Sequence, residues 1–327
     1  RALDTLDFMV SVDIYLNETT RHADVVLPGL SPLEDSHYDP AFSQLAWRNH
    51  ARYSPAVFAR APEALPEWQV LLRLIAIAQG QGAHADPLAL DDALAEDEVR
   101  RLAGPQADTV LAALAGQRGP ERWIDLALRA GPYGDAFGLK PGGLSLARLA
   151  DAPAGIDLGE LKPRLPSMLR TPSGKVELAP EALLADLPRA LADLATPAPA
   201  LAIIGRRDVR SNNSWMHNLP TLAKGPERCT LLMHPDDAAA HGLADGALAR
   251  IARGARAVTA RVEFSPAMRR GVVSLPHGWG HDLPGTKLAV AAQRPGANLN
   301  ALFSNDERDP LSGTSVLSGQ AVTVSPG

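Results

Sequence analysis

The chain has 327 residues, of which 46% are hydrophobic and 21% charged, enough to bury a core in roughly two or three domains. A formal net charge of -5 excludes the basic surface typical of proteins that bind nucleic acid or an anionic membrane. Cys229 is the single cysteine, so an intrachain disulfide and a cysteine-ligated iron–sulfur cluster within this sequence are also excluded. No apolar run is long enough to predict a membrane-spanning helix.

Residues 1–60 predict part of a doubly wound α/β domain. Residues 7–16 are apolar nearly throughout, as a buried parallel strand is, and residues 24–27 form a second apolar run. A short polar helix is predicted to begin at Thr19, between the two strands. Asp13 lies near the carboxyl end of the first strand, where open α/β sheets place ligand-binding groups, and a turn or helix-cap acid is the alternative.

Residues 61–195 predict a helical excursion and a connection. Apolar residues recur at helical spacing over 68–77, 94–102 and 111–128, and glycine and proline separate these stretches. A tight turn followed by an alternating pattern predicts a strand at 175–178. The acids of the excursion alternate with apolar positions and predict a solvated helix face, with a metal site as the alternative: Asp91, Asp92, Glu96, Asp97 and Glu98.

Residues 196–327 predict an all-β domain that follows a proline-rich linker. Short apolar runs bounded by turn residues favour a small closed barrel around one short helix. The predicted strands cover residues 201–205, 229–233, 247–252, 257–264 and 271–275, and the helix covers residues 235–241.

The stretch after the first of these strands is unusually rich in hydrogen-bonding groups. Gly205 is predicted to end the strand, where the backbone turns sharply or approaches a ligand closely. Guanidinium groups suit phosphate oxygens, and neutral amides with flat rings suit a planar heterocycle, so the pattern favours a large phosphorylated cofactor. A solvated basic loop is the alternative. The residues concerned are Arg206, Arg207, Arg210, Ser211, Asn212, Asn213, Trp215, His217 and Asn218.

A second candidate loop is LPHGWGH, residues 275–281. His277 and His281 are four residues apart, which on a helix would direct both toward one zinc ion. Because Pro276, Gly278 and Gly280 favour a loop, we expect instead that His277 and Trp279 approach a cofactor or substrate.

The segment IGRRDVRSNNSWMHN resembles the pterin-binding loop of the molybdenum or tungsten bis-pterin guanine dinucleotide oxidoreductases, the family of dimethyl sulfoxide reductase, formate dehydrogenase and nitrate reductase. VSVDIYLNETTRHADVVLPGLSPLE resembles the third domain of that family. HPDDAAAHGLADGALARI and GANLNALFSNDERDPLSG resemble parts of its C-terminal domain. The resemblance implies an α/β fold in which the remainder of a doubly wound sheet domain and a helical excursion precede a double-psi β-barrel.

The resemblance also implies a cofactor, a molybdenum or tungsten bis-molybdopterin guanine dinucleotide. Asp13 would contact a guanine end and the three arginines would contact phosphate. The pterin edges would be bound by Asn212, Asn213, His217 and Asn300. The sequence departs from the family at Asp35, where a lysine is frequent. It departs again just before the final strand, where relatives often have a basic residue and this chain has Ser318 and Gly319.

The regions that hold the metal ligand and the iron–sulfur cluster in that family have no counterpart in this sequence. We therefore expect the chain to be the C-terminal part of a longer polypeptide, and its catalytic residues are unknown. The resemblance implies two-electron redox chemistry of the formate dehydrogenase or anaerobic dehydrogenase type, with a small-molecule substrate, an electron-transfer partner and a cytoplasmic or periplasmic location. A metal-free structural subunit or binding module is the alternative.

Overall fold

A computed structural model describes residues 2–327, apart from the side chain of Gln44. The chain divides into two compact units. The first, here called the helical unit, comprises Val10–Ile14 and Asp24–Met168. The second, here called the sheet unit, comprises the residues up to Met9, Tyr15–Ala23 and Leu169–Gly327. The predicted division at residues 60 and 195 stays a prediction.

The strands of the helical unit are short and form three two-stranded sheets, β1–β2, β3–β5 and β4–β6. They are β1 (Val10–Val12), β2 (Val25–Leu27), β3 (His37–Tyr38), β4 (Arg48–Ala51), β5 (Tyr53–Ser54) and β6 (Ile156–Glu160). Val10 lies opposite Val25 in a parallel pair, as the two apolar runs predict. Both valines are partly exposed, so the pair is shorter and less buried than a central parallel sheet would be.

The helices of this unit follow the predicted apolar spacing. They are α1 (Glu67–Ala78), α2 (Pro87–Ala103), α3 (Ala107–Ala113), α4 (Gly119–Ala130) and α5 (Leu146–Ala150). Asp86 caps α2 by accepting a hydrogen bond from the Leu88 amide, and Pro87 occupies the first turn, where no amide donor is needed. The predicted stretch 111–128 is divided between two helices, because Gly116 adopts a φ of 86° between them.

Two buried carboxylates join these helices. Asp91 in α2 is only 3% exposed and accepts a hydrogen bond of 2.9 Å from the Gly119 amide. Its predicted place on a solvated helix face is therefore wrong, because the carboxylate satisfies the first amide of α4. Asp125 in α4 is fully buried and accepts a hydrogen bond of 2.6 Å from the Leu146 amide at the start of α5. Periodicity alone could not separate these acids from their exposed neighbours.

The sheet unit contains three α-helices and seven strands among the described residues. The helices are α6 (Glu181–Ala195), α7 (Pro220–Ala223) and α8 (Pro235–Ala240). The strands are β7 (Ala202–Arg206), β8 (Thr230–Met233), β9 (Leu248–Arg253), β10 (Arg256–Phe264), β11 (Val272–Pro276), β12 (Gln320–Ala321) and β13 (Thr323–Pro326). Residues 175–178 form no strand, contrary to the prediction, since their alternating pattern finds no strand partner. In the described part of the chain, no helix is both long enough and apolar enough to cross a membrane.

The seven strands form one sheet in the order β12-β7-β11-β8-β10-β9-β13. Parallel pairs join β7 to β11 and β8 to β10. One extended segment, residues 320–326, supplies both edge strands, because β12 pairs with β7 and β13 pairs with β9. The sheet therefore curls until this segment connects its two edges. The enclosed core has fully buried side chains from four strands: Ile203, Leu231, Met233, Ile251, Val273 and Leu275.

Candidate functional site

Two loops leave the sheet unit side by side. β7 and β11 are parallel neighbours, with Arg206 opposite Pro276, so both strands end at the same edge of the sheet. We call residues 207–219 the arginine loop and residues 277–290 the histidine loop. The first residue of the histidine loop is tied to β7, because the His277 amide donates a 3.2 Å hydrogen bond to the Arg206 carbonyl. Residues some 70 positions apart in sequence are thus brought together.

The arginine loop adopts a strained backbone where it meets the histidine loop. Asn212 and Asn213 have φ angles of 42° and 65°, in the left-handed region that asparagine tolerates better than most residues. Gly278 lies directly against this turn: a Cβ there would be 2.2 Å from the Asn213 carbonyl oxygen. The Asn213 side-chain oxygen lies 2.9 Å from Nε2 of His277 and also accepts from Arg207. The turn is therefore fixed by both its backbone and its side chains.

The three arginines have different environments. The Arg206 guanidinium donates to the carbonyls of Ser274 and Thr230, at 2.5 and 2.8 Å, and burial lowers its pKa. Most of its donors are used within the sheet unit, so phosphate contact by this residue stays a prediction without geometric support. Arg207 and Arg210 are exposed, and in residues 2–327 the guanidinium of Arg210 makes no hydrogen bond or ion pair. Of the three guanidinium groups, that of Arg210 is the most available to a ligand.

Three further predicted residues of this unit have clear structural surroundings. Gly205 lies within β7 rather than ending it, and a Cβ there would approach Leu299 at 3.4 Å. The strand therefore continues one residue further than predicted. Ser211 is buried and its hydroxyl donates to the Asp208 carbonyl. The side-chain oxygen of Asn218 accepts from the Val290 amide at the end of the histidine loop, at 2.9 Å, and from the next amide, that of Ala291, at 3.2 Å.

The remaining predicted residues differ in exposure. The Trp215 ring is 71% exposed, as a stacking platform would be. Asn300 is exposed in the 3₁₀ helix Leu299–Leu302. Asp13 belongs to the helical unit, directly after β1, where its amide donates to the Leu27 carbonyl. The ligand contacts predicted for these residues stay predictions.

The sequence did not reveal a chain of three polar side chains, two of them buried, that connects the two loops. Nδ1 of His281 lies 2.9 Å from the Glu18 carboxylate, and Nε2 of the same ring lies 2.5 Å from Nδ1 of His217. His217 and His281 are 7% and 4% exposed. Glu18 belongs to the sheet unit although it precedes His281 by 263 positions. No local pattern signals such a contact.

The far end of this chain of side chains has no hydrogen-bond partner among the described residues. Nε2 of His217 and Nε1 of Trp279 are both buried, and neither is bonded to any group in this part of the chain. The two rings pack with centroids 4.0 Å apart. Both residues line a cavity of about 30 Å³, together with Arg210 and Arg228. Because buried polar atoms are rarely left unpaired in native proteins, this pair marks a place that a ligand or water completes.

His277 and His281 do not form a zinc pair. They contact different groups, His277 the arginine loop and His281 the Glu18 carboxylate. Within the described chain, no group of three or more His, Cys, Asp or Glu side chains could hold a metal ion. Both rings thus contact the candidate cofactor loop, His277 through Asn213 and His281 through His217.

His217 is expected to make the stability of the protein pH-dependent. Burial, with His281 as the second cause, lowers the pKa of His217 from 6.5 to about 4. Between these values the unfolded chain binds more protons than the folded chain, so the free energy of unfolding falls as the pH falls. Between pH 7 and pH 5, His217 is expected to lower the free energy of unfolding by roughly 2 kcal/mol.

Chemical denaturation at pH 7 and pH 5 tests this expectation. The variant His217→Asn should lose less stability between the two pH values than the wild type, by about that amount. His84→Asn is the control because His84 is exposed. An unchanged pH dependence in His217→Asn would contradict the lowered pKa.

Comparisons with known proteins agree with this geometry. Residues 201–320 match the model of the family described as "Molydopterin dinucleotide binding domain". No curated protein matched the sequence. Among solved structures, acetylene hydratase from Pelobacter acetylenicus superposes with a TM-score of 0.62 at 19% identity, covering 99% of this chain and 41% of that protein. The chain thus spans less than half the length of this structural relative, and the similarity shows a shared fold. The matched segment 201–320 contains both loops of the candidate site.

Proposed function

We propose that the sheet unit binds a pterin guanine dinucleotide of molybdenum or tungsten, because residues 201–320 match the model of the molybdopterin dinucleotide-binding domain family. The chain would then be the C-terminal, cofactor-binding portion of a bis-pterin oxidoreductase. The observation that carries the proposal is this match, which begins at β7 and includes both the arginine loop and the histidine loop.

The residues present fit such a group. An extended phosphorylated ligand needs free cationic donors, and Arg207 and Arg210 are exposed on the arginine loop. A planar heterocycle needs an aromatic surface and edge-directed hydrogen bonds, which the exposed Trp215 ring and the unpaired Nε2 of His217 supply. Asn212 would bind through its exposed amide. These side chains come from one loop whose backbone is fixed by Gly278, so the site is preorganised.

The bound metal–pterin group would supply two-electron redox chemistry to the complete enzyme. The part played by this chain is to bind and orient the group. Hydrogen bonds from the loop amides and imidazoles would tune the electronic properties of the pterin, as outer hydrogen bonds do at metal centres. We further propose that the curled sheet is a double-psi barrel and that an electron-transfer partner completes the enzyme, which functions in the cytoplasm.

We also propose that the complete enzyme has activity of the formate dehydrogenase or anaerobic dehydrogenase type. Its support is the sequence HGWGH of the histidine loop and GPYGD at residues 131–135. The fold itself does not set the reaction, since the structural relative named above is a hydratase. A metal-free structural subunit is the second candidate, but the exposed, donor-rich arginine loop favours a ligand-binding role.

Metal and nucleotide analysis of the protein isolated from its native source tests the proposal. We expect molybdenum or tungsten, together with guanosine monophosphate released by acid at two nucleotides for each metal atom. Arg210→Ala should retain the nucleotide about tenfold less well, because a charge-assisted hydrogen bond to phosphate is lost. Arg261→Ala, which removes an exposed arginine of β10, is the matched control. Protein without metal and without guanosine monophosphate would favour the structural subunit instead.

A further inference from the structure

We propose that Glu18 and His281 fix the tautomer of His217, so that Nε2 of His217 presents a lone pair to the cavity and accepts an N–H or O–H group of a bound ligand. Glu18 is then a positioning residue that acts through His281. The proposal rests on the proposed function only for the identity of the natural ligand. The tautomer itself is a property of the protein without cofactor.

The first step is the direction of the hydrogen bonds. A carboxylate can only accept, so the Glu18 carboxylate requires a hydrogen on Nδ1 of His281, 2.9 Å away. When both rings are neutral, the lone pair of His281 is on Nε2 and accepts from Nδ1 of His217 at 2.5 Å. Neutral His217 consequently has no hydrogen on Nε2. One carboxylate thus determines the hydrogen-bonding character of an atom two rings away.

The second step is that the arrangement is built into the fold. Glu18 lies on the segment Tyr15–Ala23, which is held against the histidine loop by two further contacts. The Lys287 amide donates to the Leu16 carbonyl at 2.7 Å, and the Arg21 guanidinium donates to the Pro284 carbonyl at 2.7 Å. His281 is 4% exposed and therefore has little freedom to choose other partners. The Glu18 side chain is 30% exposed, and the two backbone contacts of its segment hold it beside His281.

The third step is the chemistry of the cavity. The cavity is lined by His217 and Trp279 and by five charged side chains: Asp208, Glu227, Arg210, Arg228 and Arg294. Asp208 lies 4.0 Å from Arg228, and Arg294 donates to the Gly225 carbonyl at 2.6 Å, so these groups are partly paired. The buried end offers one acceptor, Nε2 of His217, and one donor, Nε1 of Trp279. It is therefore suited to a ligand edge that both donates and accepts.

The size of the cavity restricts the group that enters it. A volume of about 30 Å³ holds one or two water molecules and excludes a whole dinucleotide. An amide-like edge, with N–H and C=O groups side by side, has the required donor and acceptor. A ligand edge without an N–H or O–H donor would leave the lone pair of His217 unpaired in a buried position, which is costly.

Nuclear magnetic resonance of the full chain, labelled with ¹⁵N-histidine and free of cofactor, tests the tautomer at pH 7. We expect the population of His217 with its hydrogen on Nδ1 to exceed the population with its hydrogen on Nε2 by about tenfold or more. The reason is that the hydrogen bond from His281 to the charged Glu18 carboxylate favours one tautomer of both rings. Loss of the signal in His217→Gln assigns it. A hydrogen found on Nε2 in the wild type would overturn the proposal without any variant being needed.

Two variants test the role of the carboxylate. Glu18→Gln should raise the Nε2–H population of His217 several-fold, because an amide can donate as well as accept and no longer dictates the His281 tautomer. Glu18→Asp, which keeps the carboxylate, should move the population back toward the wild type. Glu307→Gln is the matched control, since Glu307 pairs with Arg253 in the same unit. An equal response to Glu18→Gln and Glu307→Gln would show that Glu18 has no positioning role.

A small lactam tests the ligand class. 2-Pyrrolidone carries adjacent N–H and C=O groups, and N-methyl-2-pyrrolidone lacks only the donor. We expect 2-pyrrolidone to shift the His217 Nε2 resonance saturably and the methylated compound to leave it unchanged. Equal shifts with both compounds, or none with either, would refute the ligand class. The result does not depend on whether the native protein contains a pterin nucleotide, so failure here and failure of the proposed function are distinguishable.

Discussion

Gly278→Ala is expected to lower the free energy of unfolding of the sheet unit by about 3 to 4 kcal/mol. Gly278 has a φ of 89°, and its added Cβ would lie 2.2 Å from the Asn213 carbonyl oxygen and 2.6 Å from the attached carbon. The left-handed backbone alone costs about 1 to 2 kcal/mol for alanine. The overlap is with backbone atoms and cannot be relieved by a side-chain rotation, so the two loops must separate.

Gly246→Ala is the matched control for this variant. Gly246 belongs to the same unit and has a φ of 74°, but a Cβ there meets no atom within 4 Å. Thermal melts of the two variants therefore separate the backbone cost from the overlap. Hydrogen exchange should show faster exchange in the arginine loop of Gly278→Ala only. Equal melting temperatures for the two variants would contradict the close contact between the loops.

The loop contact also links stability to the proposed function. If the arginine loop binds the nucleotide, Gly278→Ala should release it, whereas Gly246→Ala should retain it. The effect is indirect, since Gly278 offers no side chain to a ligand. It follows from displacement of Asn213, whose side chain is fixed by His277 and Arg207.

The strands of the sheet unit could be predicted from the sequence because each is a short apolar run bounded by turn residues. The predicted strands at 229–233 and 257–264 differ from β8 and β10 by one residue at their starts and coincide with them at their ends. The same reasoning failed at residues 175–178, where an alternating pattern has no partner strand. A strand needs a neighbour to satisfy its backbone, and local sequence does not show whether one exists.

The candidate site could be predicted only in part, for a related reason. Residue types in the arginine loop indicated phosphate and heterocycle binding, but they could not show that Arg206 is already bonded to carbonyls of β8 and β11. The contact between Glu18 and His281 spans 263 positions and depends on the folded arrangement. Composition identifies which groups are available, whereas the fold decides which of them are already used.

Asp125→Asn is expected to destabilise the helical unit by about 3 to 5 kcal/mol. One carboxylate oxygen accepts from the Leu146 amide at 2.6 Å. The other accepts from Gln117 at 3.0 Å and from Arg129 at 2.8 Å. An asparagine has the same shape, but its NH₂ group must face at least one of these donors. A buried donor is then left unpaired, and Arg129 loses a neighbouring negative charge.

Glu96→Gln provides a matched control, because Glu96 pairs with Arg100 at the same spacing of four residues but on an exposed helix face. Its loss should cost less than about 1 kcal/mol, since exposed ion pairs contribute little. Hydrogen exchange over α4 and α5 of the helical unit compares the two variants. Faster exchange is expected for Asp125→Asn and not for Glu96→Gln. The Leu146 amide is the most direct reporter, because its only described acceptor is the carboxylate that the substitution changes. Slow exchange of that amide in Asp125→Asn would mean that asparagine turns its oxygen toward α5, and the cost would then fall on Gln117 and Arg129 instead.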